Sequence, residues 1–236
     1  MANAKRAGLA GTPMSRGEVI GGFVYLPFYI FLLGWLLGLL LRALGNPLSA
    51  SSANTVYFLV NFLIAALIFR RWLIASLSAA ARQFWNFLQA AVLGFAFYYA
   101  LSWLLAWGLG LLGWTVANPN DAYVSELAGG SARWALVCTV LLAPMVEETL
   151  FRGLIFGNLR PLSRAAAYLV SALFFAAVHV WQYAGALGWR GTLLCAVQYL
   201  PAGLALGWTY EKSATIWASV LVHAGINAVA MGLLHG

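Results

Sequence analysis

The stretch LLAPMVEETLFRGLIF, Leu141 to Phe156, sets two adjacent glutamates, Glu147 and Glu148, inside an apolar run, with Arg152 one helical turn behind. The chain has only 6 acidic residues in 236, so a third of its negative charge sits in this doublet. The surroundings decide how the doublet is read. The chain is 63% hydrophobic and 8% charged, with a mean hydropathy of +0.85, whereas a soluble domain is about a quarter charged. No water-soluble arrangement hides that much apolar side chain, so the solvent for most of it is lipid.

Spanning segments need about 20 apolar residues. Seven candidates follow, at 19–41, 53–69, 86–112, 133–156, 164–183, 191–210 and 214–234. The fold class is all-α: a polytopic transmembrane helical bundle forming a single integral membrane domain over 1–236. The less apolar stretch RRWLIASLSAAARQFW, Arg70 to Trp85, reads as an amphipathic helix lying along the cytoplasmic surface. Thr115 to Ser131 reads as a polar, acidic loop. The first apolar run is too long for a secretory core and reads as a retained helix. Cys138 and Cys195 have neither metal nor redox spacing and read as buried hydrophobes.

The net charge of +7 belongs to the membrane reading. With the N-terminus inside, the cytoplasmic ends collect Lys5, Arg6, Arg16, Arg70, Arg71, Arg82, Arg152, Arg160, Arg164 and Lys212. The outer ends collect Arg42, Arg133 and Arg190. This asymmetry favours a cytoplasmic N-terminus. No basic block with interleaved aromatics exists, so nucleic acid is excluded as a partner; the bilayer is the expected one.

Ionised side chains inside lipid cost a few kcal/mol on the gentlest scales, about 2.5–3.5 for a central Asp, Lys or Arg. The sequence tolerates polar groups there in three places. Glu148 and Arg152 are spaced i, i+4 with the acid N-terminal, the better orientation for a pair; Glu147 is then turned away by about 100°. Phe175 and His179 share a face by the same spacing, as do His223 and Asn227. Taken singly, Glu148 with Arg152 reads as a structural ion pair, either histidine as hydrogen-bonded core, and Asn227 as interhelical glue. Taken together, an acid, two imidazoles and an amide on three helices are the inventory of a hydrolytic site.

The ordered motifs Glu-Glu-x-x-x-Arg (147–152), Phe-x-x-x-His (175–179) and His-x-x-x-Asn (223–227), with the flanking APMVEETLFRG and GLALGWTYEKSATIWASVLVHAGIN, resemble the CAAX-protease and bacteriocin-processing (ABI) family of intramembrane glutamate endopeptidases. The resemblance covers about 136–229. It implies that Glu147 activates water with His179, and that His223 and Asn227 stabilise an oxyanion. It also implies that Glu148 and Arg152 hold the site and touch the substrate's terminal carboxylate, while Phe175 packs on His179. It implies eight spanning helices where seven are counted. The implied substrate is a membrane-associated protein or peptide, lipidated and CAAX-like in the best-known members; cleavage inside or at the edge of the bilayer, on the cytoplasmic side, is expected. The implied location is the cell membrane of a prokaryote.

No cofactor is expected; two histidines and a glutamate are also a zinc-hydrolase ligand set, which is the alternative, although no His-Glu-x-x-His spacing occurs. A second class of function is a non-catalytic membrane scaffold or bacteriocin-immunity protein of the same fold, and a third is a proton-relaying transporter. The counted spans leave Glu147 nearer the inner face and His179 nearer the outer one, a mismatch in depth that a shared site must remove.

Overall fold

The computed structural model describes residues 12–45, 48–115 and 117–235; Lys5 and Arg6 lie outside the described residues. Seven helical elements follow one another, with no strand among the described residues. They are α1 (Arg16–Ala43), α2 (Ala50–Arg82), α3 (Phe84–Leu111), α4 (Pro119–Leu159), α5 (Arg164–Val180), α6 (Ala184–Ser213) and α7 (Ile216–His235). The molecule is an all-α bundle of apolar helices. By length and composition, five stretches can cross a membrane: α1, Ser51–Arg82, α3, α4 and the continuous run Arg164–Ser213; Ile216–Gly232 is a shorter apolar helix. The run from 164 to 213 joins two expected segments through a tight 3₁₀ turn at Trp181–Tyr183 and a bend at Gly188, whose φ of 66° suits a residue without a Cβ.

Three expectations are corrected. Arg70 to Arg82 is not a separate surface helix but the continuation of α2. Asn61, Ala65, Phe69, Trp72, Ser76 and Ala80 are all buried, and this spacing is one uninterrupted helical stripe. The stripe is anchored in its lower half: the Trp217 indole donates to Leu73 O (3.2 Å), and Thr215 Oγ1 donates to Ser76 O (2.9 Å). The segment 115–131 is not all loop, because α4 begins at Pro119, capped by Asn118, whose side chain accepts from the Asn120 N–H, and only bends at Ser131. Finally, Arg152 does not belong with the cytoplasmic loops. Its side chain is fully buried, so it carries no information about orientation.

The remaining charges still separate. Arg16 starts α1, Arg82 ends α2, Arg160 and Arg164 flank the α4–α5 turn, and Lys212 closes α6. These termini meet at one end of the bundle. Asn86 Nδ2 at the start of α3 donates to Lys212 O (3.1 Å). Glu211 accepts from Arg160, from Arg164 Nη2 (2.9 Å) and from Tyr168 OH (2.8 Å). Above this end lies the core, built on Phe69, Trp72, Leu150, Phe151, Leu154 and Phe156, all buried.

The helix α6 is the centre of the packing, touching α3, α5 and α7, while α4 packs on α5, α7 and α2. The approach of α6 to α5 depends on Gly203, where a Cβ would come within 2.8 Å of Ala172 Cβ and 2.9 Å of its Cα. Backbone cannot step aside as a flexible side chain can. Gly203→Ala is therefore expected to destabilise the protein by about 1–3 kcal/mol, the usual range for overpacking. Gly108→Ala on α3, where a Cβ meets nothing within 4 Å, leaves stability unchanged or slightly raised. Thermal denaturation of both variants in detergent is the check; equal behaviour of the two contradicts the packing described.

Candidate active site

Three of the helices that contribute to the site, α4, α1 and α6, are interrupted close to their contributions. Pro144 in α4 removes the N–H that Val140 C=O would otherwise receive, and a wide π-type turn occupies Val137–Leu142 immediately before Glu147. A second wide turn, Thr149–Phe156, holds Arg152. Wide turns of this kind concentrate at functional sites. In α1, Pro27 precedes the wide turn Phe28–Leu32 that carries Tyr29. In α6, Pro201 lies between Tyr199 and the Ala202 carbonyl.

The depth mismatch disappears because α4 runs on to Leu159 before the turn. Glu147 lies 12 residues before Leu159, and His179 lies 15 after Arg164, so at about 1.5 Å per residue both sit at about 20 Å from the turn. His179 Nε2 is 3.6 Å from Glu147 Oε2. His223, arriving on α7, places its Nε2 3.8 Å from the same oxygen. Glu147 is 7% exposed, and its Oε2 makes no hydrogen bond to the protein. Its other oxygen accepts a long hydrogen bond from Tyr29 OH, 3.4 Å.

Both imidazoles are oriented from behind. His179 Nδ1 is 2.7 Å from Phe175 O, and a carbonyl can only accept, so Nδ1 carries the proton and the neutral ring turns its Nε2 lone pair toward Glu147. The ring is sandwiched, with centroids 4.5 Å from Phe175 on one side and 4.5 Å from Tyr199 on the other. Tyr199 OH is held by Asn118, which donates to it from Nδ2 (3.0 Å). His223 Nδ1 donates to Glu148 Oε1 at 2.9 Å.

Glu148 is thereby placed between two hydrogen-bond donors. Arg152 Nη1 donates to its Oε1 at 2.9 Å, and both side chains are fully buried. Arg152 Nη2 donates to Ala202 O (3.3 Å) and Gly203 O (3.2 Å), and its guanidinium carbon lies 4.4 Å from the centre of the Phe175 ring. With no exposure, and with both terminal nitrogens engaged, Arg152 does not line the cavity, which removes the terminal-carboxylate contact that the family resemblance implied for it. Asn227 does not bond to His223 one turn away; its Nδ2 donates to Thr139 O at 2.8 Å.

Glu147, His179, His223 and Asn227 all border a cavity of about 1240 Å³. The cavity reaches from Glu147 to the segment around Trp114 and Asn118, the end of the bundle opposite the basic termini. Toward the basic end the way is closed by Leu150, Phe151 and Leu154, none exposed. Among the described residues no group of three or more His, Cys, Asp or Glu side chains is placed to hold a metal ion. Tyr29 and Tyr199 were not singled out from the sequence. Their signal was a tyrosine two residues from a proline in mid-span, a hydroxyl and a helix irregularity at the same depth.

Comparison with known proteins gives three findings. Residues 129–229 match the family described as type II CAAX prenyl endopeptidase Rce1-like. The UPF0177 protein YxdF of Lactococcus lactis subsp. lactis (strain IL1403) is 32% identical over 87 residues, 37% of this chain and 42% of that protein, so the chain spans less than half of this relative's length. An uncharacterized 24.3 kDa protein of Escherichia coli is 28% identical over 203 residues, 80% of this chain and 84% of that one. No solved structure matches. All the polar side chains of the α4–α5–α7 cluster fall within residues 129–229, the segment that is similar to the type II CAAX prenyl endopeptidase Rce1-like family.

Proposed function

We propose that the protein is an intramembrane endopeptidase that hydrolyses a peptide bond of a membrane-associated protein or peptide, with Glu147 as general base. The observation that carries this reading is the unpaired Oε2 of Glu147, buried and facing two imidazole Nε2 atoms at 3.6 and 3.8 Å. These gaps are too wide for direct hydrogen bonds and suit a water that donates to the carboxylate and to an imidazole.

Glu147 takes a proton from that water as its oxygen bonds to the scissile carbonyl carbon. His179, its tautomer held by Phe175 O, relays the proton to the leaving amine as the C–N bond breaks. His223 is the partner of the oxyanion: its Nδ1 donates to the Glu148 carboxylate, which turns Nε2 toward the reacting centre, where the protonated ring donates to the oxyanion. Asn227 has a second amide hydrogen beyond the one on Thr139 O and adds a further donor. A positioned base supplies about 10²–10⁴ in rate, and one oxyanion donor about 10²–10³. Glu148 and Arg152 are positioning residues that act through His223 and the α6 backbone.

The roles separate by experiment. Glu147→Gln keeps the shape of the site and is expected to lower kcat by about 10²-fold or more, with thermal stability kept within about 0.5 kcal/mol; a reconstituted variant with full activity refutes the assignment. Arg152→Ala strands a buried carboxylate and is expected to cost about 3–5 kcal/mol of stability, read as a loss of the folded fraction in detergent.

A zinc hydrolase is the second reading: one glutamate and two histidines are the residue types of a zinc-hydrolase ligand set, although among the described residues no three such side chains are placed to hold a metal ion. The metal-free mechanism predicts activity that survives strong chelators in zinc-free protein. Loss on chelation with recovery on adding zinc establishes the second reading instead.

A further inference from the structure

The chain carries a net charge of +7, yet its central cavity carries none of that positive charge. Among the described residues that line it there is no lysine or arginine, and its two carboxylates are Asp121 and Glu147. Glu147 is nine-tenths buried with an oxygen unpartnered and aimed into the space. Asp121 lies at the mouth, on the first turn of α4. Trp35, Trp114 and Trp181 also line the cavity and expose much of their surface, and indole faces attract cations. A free C-terminal carboxylate entering this space meets like charge and finds no lysine or arginine, only the two histidines already turned toward Glu147, whereas a lysine or arginine side chain meets two acids and three indoles.

We infer that the site accepts an internal, uncharged or cationic segment of its substrate rather than a chain ending in a free carboxylate near the scissile bond, and that this segment enters from the end of the bundle opposite the basic termini. By the distribution of Arg16, Arg82, Arg160, Arg164 and Lys212, that mouth faces the outside of the cell. This is the reverse of the cytoplasmic approach expected from the sequence. The inference rests on the proteolytic reading for its substrate, but the charge and side of the cavity are measurable without proteolysis.

The test uses a thiol inside the cavity. Ser102→Cys is a nearly isosteric change at a lining position on α3, and Gly38→Cys on α1 is a second site where a Cβ meets nothing within 4 Å. The native Cys138 and Cys195 are both fully buried and are replaced by alanine. The full chain in sealed right-side-out vesicles is treated with two membrane-impermeant methanethiosulfonates, one bearing a trimethylammonium group and one a sulfonate, each rate being divided by its rate with a free small thiol.

The cation is expected to react about 10-fold faster than the anion after this correction, the low end of electrostatic focusing in clefts, and Asp121→Asn is expected to lower the ratio. Equal rates, or a faster anion, overturn the charge selection. Reaction of either thiol only in inverted vesicles overturns the side of entry, and absence of reaction at both positions in either orientation overturns the aqueous cavity itself. If the charge ratio holds while Glu147→Gln leaves proteolysis intact, the catalytic reading fails and the cavity's selectivity stands.

Discussion

The guanidinium of Arg152 is the group on which the arrangement of four helices depends. It projects from α4, donates to Glu148 one turn back, reaches two carbonyls of α6, and lies over the Phe175 ring of α5. Through Glu148 it also fixes His223 of α7. A charge buried this deeply is tolerated only with a counter-charge adjacent, and here both terminal nitrogens are engaged as well, so each helix that supplies a partner is held in register with the others. The Gly203 contact serves the same end. Its missing Cβ lets α6 approach Ala172 of α5, and its carbonyl is one of those that receive Arg152.

This clamp explains why the adjacent glutamates differ in character. Glu148 is compensated by a guanidinium and an imidazole. Glu147, one residue earlier and facing the cavity, receives only the long Tyr29 contact. The same α4 backbone therefore delivers one carboxylate to the packing and one to the cavity. The wide turns around Pro144 and Arg152 adjust where each points, and the hydroxyl of Tyr29 is brought in by the matching irregularity after Pro27.

The division between the glutamates was legible in the sequence because i, i+4 geometry is local: Arg152 could reach Glu148 and not Glu147. The bundle itself was legible because lipid leaves few architectures open to so apolar a chain. What was not legible depended on where helices end and what they pack against. Counting α4 as finishing at Phe156 put Glu147 and His179 at different depths; three further residues of helix bring them level. Arg70 to Arg82 looked amphipathic because it is, but its buried stripe faces α7 and the N-terminal part of the chain, not a headgroup layer. Tyr199 on His179 and Thr139 on Asn227 are contacts between segments far apart in sequence, and no periodicity within either segment encodes them.

An unpaired carboxylate and two half-engaged imidazoles are a poor choice for stability alone, since leaving a buried acceptor unsatisfied costs about 1–3 kcal/mol, and more for a charged group. A chain selected only to pack would replace Glu147 with an apolar residue and close the cavity. Here every other member of the polar set has a partner that also orients it: Phe175 O for His179, Glu148 for His223, Thr139 O for Asn227. Of the buried side-chain atoms left without a partner, Glu147 Oε2, Glu148 Oε2 and Arg152 Nε, only the first belongs to a residue that borders the cavity. Local frustration surrounded by consistent structure is the pattern that separates a working site from an accident of burial, and the cavity above Glu147 supplies the room in which that oxygen meets a substrate.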